Sequence, residues 1–240
     1  HLFLNLDPSP LGRFPYKPLH TRFEGYRCAD IGFDLFHNAE LIALPAVSGF
    51  LGGDFLGGLT LLYDRGFERN FFFIDIGTNG EMCVCGKNGG IVATSCAMGP
   101  ALEGMNISYG MTASDGAITG GAPVNGRLAL SVYGNKKAVG IAGTGLIALI
   151  AELVHAGAIS PDGRIQAGEN SFPLGCRIGK SGSMKTIVIS DPISISQADV
   201  RALQLAKAAS RSAAALMLRE SGIPAEDISD VFISGAFGTH

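Results

Sequence analysis

Apolar residues recur along the chain in short runs that sort by length and period into strands and helices. FFFIDI at 71–76 has strand length, EMCVCG at 81–86 follows it, and IVATSCA at 91–97 makes a third strand. Asn79-Gly80 stands between the first two runs, and that dipeptide in that setting predicts a tight hairpin turn. AVSGFLGGDFLGGLTLLYDRGF at 46–67 mixes small and apolar residues at helical spacing. It predicts a helix from about Asp54, capped at its start, to near Gly66. GTGLIALIAELVHAG at 143–157 predicts a second helix with a glycine-rich start and a stop at Gly157. KTIVIS at 185–190 reads as a strand. The longest helix is predicted from Gln197 to about Ser221: Ser196 caps it, Asp199 completes a capping-box-like pair, Gly222 closes it and Pro224 forbids continuation. DVFISGAFG at 230–238 predicts a strand running into a glycine turn.

Elsewhere the pattern is weaker. Residues 1–45 carry Pro8, Pro10, Pro15, Pro18 and Pro45 and read as extended chain and loops. Residues 110–140 are rich in Gly and Ser with one strand at Leu128–Tyr133, and 158–184 are loop-like. Three strands in succession, then helices and strands in alternation, predict an α/β fold with a mixed sheet and packed helices. Both ends of the chain read as the cut edges of a longer protein.

Composition narrows the function classes. At 240 residues and 47% hydrophobic content the chain holds one large core or two small ones. Its 34 glycines follow no repeat, which marks them as turns and points of close approach. A net charge of −3 with no Lys/Arg block argues against a nucleic-acid surface. No apolar run spans a bilayer and no signal pattern opens the chain, so a cytoplasmic location is the expectation. Cys28, Cys83, Cys85, Cys96 and Cys176 lack the spacing of a zinc or iron–sulfur site and read as free thiols. His20, His37, His155 and the terminal pair show no ligand or triad spacing.

The candidate chemistry lies in glycine-punctuated turns. In Asp75-Ile76-Gly77-Thr78-Asn79-Gly80-Glu81 a carboxylate ends an apolar strand and a turn then exposes backbone N–H groups, a nest suited to phosphate. Thr78 and Asn79 add side-chain donors, and Asp75 can hold Mg²⁺ through water. A plain hairpin turn, with Asp75 capping amides, explains the same residues. Gly140-Ile141-Ala142-Gly143-Thr144-Gly145 leads into a helix N-terminus, where free amides attract anions; a tightly packed helix start is the alternative. Ser234-Gly235-Ala236-Phe237-Gly238 lets backbone approach a flat ligand or makes an ordinary turn. Gln204, Lys207 and Arg211 share one helix face, from which Lys207 reaches a phosphate or ribose unless the face is merely solvated. Glu103 in GPALEG binds metal or caps the next turn. Asp54 after a Gly-Gly pair is a helix cap or a contact to the catalytic water.

FIDIGTNGEM, SCAMGPALEGMNISYGM, GIAGTGLIALIAEL, ISQADVRALQLAKAA and ISGAFG, in this order, resemble the C-terminal ATPase region of the reductive activators of corrinoid proteins. HLFLNLDPSPLGRFPYKP and LPAVSGFLGGD upstream resemble the same family, so the likeness runs over nearly the whole chain. The resemblance implies an actin-like fold of the sugar kinase, heat-shock chaperone and actin superfamily, in which two ribonuclease-H-like lobes close over ATP and Mg²⁺. It divides the chain into 1–67, the end of the first lobe and the junction, and 68–240, the nucleotide-binding second lobe. By resemblance Asp75, Gly77, Thr78, Asn79 and Gly80, with Glu81 following, match the second phosphate loop, Asp75 being the catalytic and metal-binding residue. Gly235, Ala236, Phe237 and Gly238 match the adenosine loop, Gln204 and Lys207 a helix face near the nucleotide, and Gly143 and Thr144 a glycine-rich helix start. The implied partner is a corrinoid protein, restored from cob(II) to cob(I) for methyl transfer; a homodimer is compatible. The family's first phosphate loop, its ferredoxin-like domain with an iron–sulfur cluster and its closing helix have no counterpart in these 240 residues. On that ground the chain alone is expected to hydrolyse ATP poorly. A lobe of another actin-like ATPase or kinase, and a non-catalytic docking domain, are the competing readings.

Overall fold

The structure is a computed structural model and describes residues 4–33, 36, 38–66, 68–166 and 173–235. The chain forms two compact units. The first comprises His1–Asp75, Glu81–Ser95 and Ala213–Ser234; the second comprises Ile76–Gly80, Cys96–Ser212 and Gly235–His240.

In the first unit, β1 (Phe23–Arg27) pairs antiparallel with β2 (Glu40–Ala43), so part of the segment expected to be irregular is a small two-stranded sheet. Short proline-punctuated sequence hid it, because neither strand is long enough to show a period. The helix α1 (Gly53–Asp64) follows, as its apolar spacing requires. Phe55, Leu59 and Leu62 recur on one face and pack on Phe71 and Phe73 of β3 (Phe71–Ile76) and on Cys83 and Cys85 of β4 (Asn79–Cys85). Phe55 and Phe73 stack with centroids 5.2 Å apart. A Cβ on Gly58 would lie 2.7 Å from the Phe73 ring, so only glycine lets the helix approach this closely. Each such buried apolar side chain contributes roughly 1.5–3 kcal/mol.

The main sheet has the order β12-β3-β4-β5, with β5 at Ile91–Ala97 and β12 at Asp230–Ser234. β12 runs parallel to β3, from Asp230 opposite Phe71 to Ser234 opposite Asp75. The hairpin between β3 and β4 is a correction to the sequence reading. The turn is Gly77-Thr78, and Asn79-Gly80 belongs to the strand. Neither Asn79 nor Gly80 takes the positive φ that a tight Asn-Gly turn needs. β4 is buried on both faces from Met82 onward, and starting it at Asn79 keeps Cys83 and Cys85 against α1.

In the second unit, β6 (Ala117–Val124) and β7 (Arg127–Val132) form a hairpin whose two-residue loop is Asn125-Gly126. Both loop residues have positive φ, 50° and 74°. β8 (Gly140–Ile141) pairs parallel with β6. The helix α2 (Gly143–His155) begins at Gly143, where the predicted 143–157 helix begins, and buries Leu146, Leu149, Ile150 and Leu153 in the main core of this unit. A second sheet, in the order β11-β10-β9, is made of β9 (Arg177–Ser181), β10 (Met184–Ser190) and β11 (Ile193–Ser196). β9 lies within a stretch expected to be loop.

The helix α3 (Gln197–Ser221) has the predicted bounds. Its capping box is present: the Asp199 N–H donates to Ser196 Oγ at 3.2 Å and the Ser196 N–H donates to Asp199 Oδ2 at 2.7 Å. Asp199 is 1% exposed, and its other oxygen accepts from the Ser108 N–H at 2.9 Å and from Ser108 Oγ at 3.2 Å.

Candidate functional site

Two groups of residues carry the candidate chemistry, one in each unit. In the first unit, Asp75 sits near the C-terminal end of β3, level with Ser234 on the parallel strand β12. The C-terminal edge of parallel strands is where α/β sheets place ligands. Glu81, in β4, accepts from Ser95 Oγ at 3.1 Å. Burial pushes the Glu81 carboxyl above its ordinary range; the Ser95 hydrogen bond works against that, and the negative charges of Asp54 and Asp75 add to it. Asp54 and Asp75 therefore lie close enough to Glu81 for their negative charges to bear on its carboxyl. Asp54 is at the second position of α1, with Gly52 as the cap, and its Oδ1 accepts from the Phe55 N–H at 2.9 Å. It serves the first turn of the helix from inside it.

Nucleotide with Mg²⁺ is the ligand that the sequence reading implies, and the donor set fits. All the side chains are hard oxygen donors, as Mg²⁺ prefers. Ser234 Oγ is a buried polar atom with no hydrogen-bond partner among the described residues. Also among the described residues, no three His, Cys, Asp or Glu side chains converge closely enough to grip a bare ion. These side chains would hold an ion through its own waters.

In the second unit, the Gly77-Thr78 turn is exposed at Thr78, and the Gly77 N–H donates to the Asn79 carbonyl at 2.9 Å. Asn79 is exposed and Gly80 is buried. The Thr78 hydroxyl donates to Glu103 Oε1. A small apolar cluster of Met98, Leu102 and Ala206, with Ile76, Cys96 and Leu203 packed on it, underlies both residues. Leu203 and Ala206 bring one face of α3 to this cluster. Lys207, next along, is exposed and makes no ion pair among the described residues.

The other sequence candidates fare differently. The Gln204 amide donates to the Asp162 carbonyl at 3.1 Å and packs on Gly163, so this side chain ties α3 to a loop. Gly143 is buried. A Cβ on Gly145 would lie 2.0 Å from the Ile118 carbonyl oxygen, so close packing alone requires a glycine there. Thr144 is half-buried in the same turn. Gly235 has φ 84°, as expected for a glycine turn; Ala236, Phe237 and Gly238 lie outside the described residues. Sequence reasoning did not find Ser95. An isolated serine within an apolar strand carries no signal until its partner is known.

The cysteines Cys28, Cys83, Cys85, Cys96 and Cys176 are free of disulfides. The Cys83 and Cys85 sulfurs lie 3.6 Å apart, and the hydrogen bond with Cys85 together with burial pushes the Cys83 thiol up. No helix among the described residues is long and apolar enough to cross a membrane.

Comparison with known proteins agrees with this geometry. Residues 69–240 match a family described as the C-terminal domain of RACo, the ASKHA domain, and residues 1–63 match the RACo middle region. The chain is 32% identical to the corrinoid activation enzyme RamQ of Eubacterium limosum, over all of this chain and 42% of that protein. It is 30% identical to the [Co(II) methylated amine-specific corrinoid protein] reductase of Methanosarcina barkeri, over 85% of this chain and 38% of that protein. A solved structure of a reductive activator for corrinoid, iron-sulfur protein superposes with a TM-score of 0.83 at 31% identity, covering 99% of this chain and 39% of that one. The chain thus spans about two fifths of the length of these relatives. The chain belongs to the family of reductive activators of corrinoid proteins, and its residues 69–240 are an ASKHA domain, the nucleotide-binding actin-like ATPase fold.

Proposed function

We propose that this chain is the ATP-binding region of a protein that drives reduction of a corrinoid protein from cob(II) to cob(I). The observation that carries the reading is the strand–turn–strand of residues 71–85. Asp75 lies one residue before the end of β3, which runs parallel to β12, the Gly77-Thr78 turn follows, exposed at Thr78, and the charges of Asp54 and Asp75 both bear on Glu81. In this reading residues 1–67 close a first lobe and 68–240 form the second.

Bound ATP with Mg²⁺ supplies the phosphoryl bond whose cleavage drives the uphill electron transfer. The chain's own residues bind and orient. Asp75 holds the hydrated cation through its waters. Backbone N–H groups after Gly77, whose own N–H is taken by the Asn79 carbonyl, would meet phosphate oxygens. Lys207 contributes a positive charge toward a phosphate, and Gly235 gives the backbone a close approach to the base. The names of the relatives support a corrinoid protein as partner; a cytoplasmic location and an iron–sulfur cluster in a separate domain complete the proposal.

The test uses the protein that carries this chain, a corrinoid protein in the cob(II) state and a chemical reductant. The conversion to cob(I) is followed by its absorbance spectrum, with ATP, with ADP and without nucleotide. The reading requires cob(I) to accumulate with ATP and not with ADP. Equal conversion under all three conditions would refute it.

A further inference from the structure

Glu103 has no part in the reading above, yet its carboxylate faces the turn that the reading uses. It ends a short helical turn, Pro100–Glu103, whose Ala101 and Leu102 are 5% and 4% exposed. Gly104 follows with φ 82°. A Cβ on Gly104 would lie 2.5 Å from the Met111 nitrogen, and a Cβ on Gly110 would lie 1.9 Å from the Gly104 carbonyl oxygen. The backbone behind Glu103 therefore packs directly against the 110–111 backbone, with glycine required on both sides. Leu102, next to Glu103, and Ile76, two residues before Thr78, pack in the same apolar cluster. The Thr78–Glu103 hydrogen bond thus joins two exposed side chains whose chain neighbours, Ile76 and Leu102, pack in one cluster.

We propose that Glu103 is a positioning residue that turns the Thr78 hydroxyl into an acceptor, so that this turn takes a nucleotide with its hydrated divalent cation rather than the bare nucleotide. The inference rests on the nucleotide-binding reading. A hydroxyl has one proton and two lone pairs, and an ionised carboxylate only accepts. With its proton committed to Glu103, Thr78 Oγ1 presents lone pairs alone. Lone pairs repel phosphate oxygens and accept from the waters of a hydrated cation. The Glu103 charge acts in the same sense, opposing an anion without its metal. This reverses the role that residue type alone suggests for Thr78, a direct donor to phosphate.

Calorimetric titration of ATP tests the inference, once with Mg²⁺ and once with a chelator, on the parent protein, Glu103→Ala, Thr78→Val and the double variant. Circular dichroism confirms that each is folded; Glu103→Gln, which still accepts through its amide oxygen, is the second variant should Glu103→Ala fail to fold. The parent is expected to prefer Mg²⁺–ATP. Glu103→Ala should reduce that preference about tenfold, the scale of one charge-assisted hydrogen bond. It should do so partly by tightening metal-free binding, because the freed hydroxyl can then donate to phosphate. Thr78→Val should reduce the preference as well, and the double variant should lose no more than the larger single loss. Glu103→Gln should fall between parent and Glu103→Ala. An Mg²⁺ preference unchanged in Glu103→Ala, or additive losses in the double variant, overturns the inference while leaving the nucleotide reading intact. A parent that binds no nucleotide removes both.

Discussion

Removing the buried carboxylate of Asp199 tests how the second unit is held together. Asp199 is 1% exposed and accepts three hydrogen bonds from groups that have a single geometry to meet: the Ser196 N–H at 2.7 Å, the Ser108 N–H at 2.9 Å and Ser108 Oγ at 3.2 Å. Hydrogen bonds to a charged group contribute about 1.5–3 kcal/mol each, and a buried donor left unmet costs about 1–3 kcal/mol. In Asp199→Ala the Ser108 hydroxyl can turn to Ser196 Oγ, which already lies 3.2 Å away, but both backbone N–H groups lose their carboxylate acceptor, and the Ser196 one is buried. The expected loss is therefore about 3–5 kcal/mol, well beyond the ~1 kcal/mol of an ordinary helix cap. Urea unfolding followed by circular dichroism measures it, with Ser196→Ala as the control at about 1 kcal/mol. A loss for Asp199→Ala no larger than for Ser196→Ala would refute the reasoning. It would mean that Ser108 contributes nothing through this contact.

Two further predictions follow from the same kind of geometry. Gly145→Ala places a methyl 2.0 Å from the Ile118 carbonyl oxygen, so α2 must lift from β6; a stability loss of about 3 kcal/mol is expected in urea unfolding, with an undisturbed Tm as the contrary result. Glu81 carries a carboxyl raised chiefly by burial, so its contribution favours the fold below its unfolded pKa of about 4.3 and is lost as pH rises through the higher folded value. The Tm of the parent should therefore fall relative to Glu81→Gln between about pH 4 and neutrality, and parallel pH profiles would contradict a Glu81 carboxyl raised by its burial.

Elements whose determinants are local in sequence were readable before the structure was known. The capping box of α3 needs only Ser196 and Asp199, three residues apart, and both its bonds are present. The apolar period of α1 and α2 likewise marked the faces that are buried. The two Asn-Gly pairs show where local signals stop. Asn125-Gly126 makes the tight turn, with both φ positive, although the glycine-rich flank of β6 concealed the hairpin. Asn79-Gly80 lies in a strand, because the two-sided burial of β4 sets the turn at Gly77-Thr78. What decides between the two pairs is packing against α1, which no dipeptide records.

The site divides in the same way. Asp75 near the end of a strand was legible because the apolar run around it is contiguous, whereas the turn after it was placed two residues too far along. Ser95 with Glu81, 14 residues apart, and Thr78 with Glu103, 25 apart, depend on how strands and turns are brought together. Helical spacing set Gln204 and Lys207 on one face, yet the Gln204 amide is taken by the Asp162 carbonyl, 42 residues away, while Lys207 stays exposed. The glycine-rich start of α2 admitted an anion site or close packing; at Gly145 the contact with Ile118 accounts for the glycine by packing.

The most direct test of the account is calorimetric titration of the protein with ATP in the presence and absence of Mg²⁺, repeated on Asp75→Ala. The account predicts binding that requires Mg²⁺ and weakens at least about tenfold when Asp75 is removed, the loss expected when a charged contact to the hydrated cation disappears. Binding of equal strength in Asp75→Ala, or indifferent to Mg²⁺, would contradict the claim that the Asp75–Gly80 segment is where this protein holds its nucleotide.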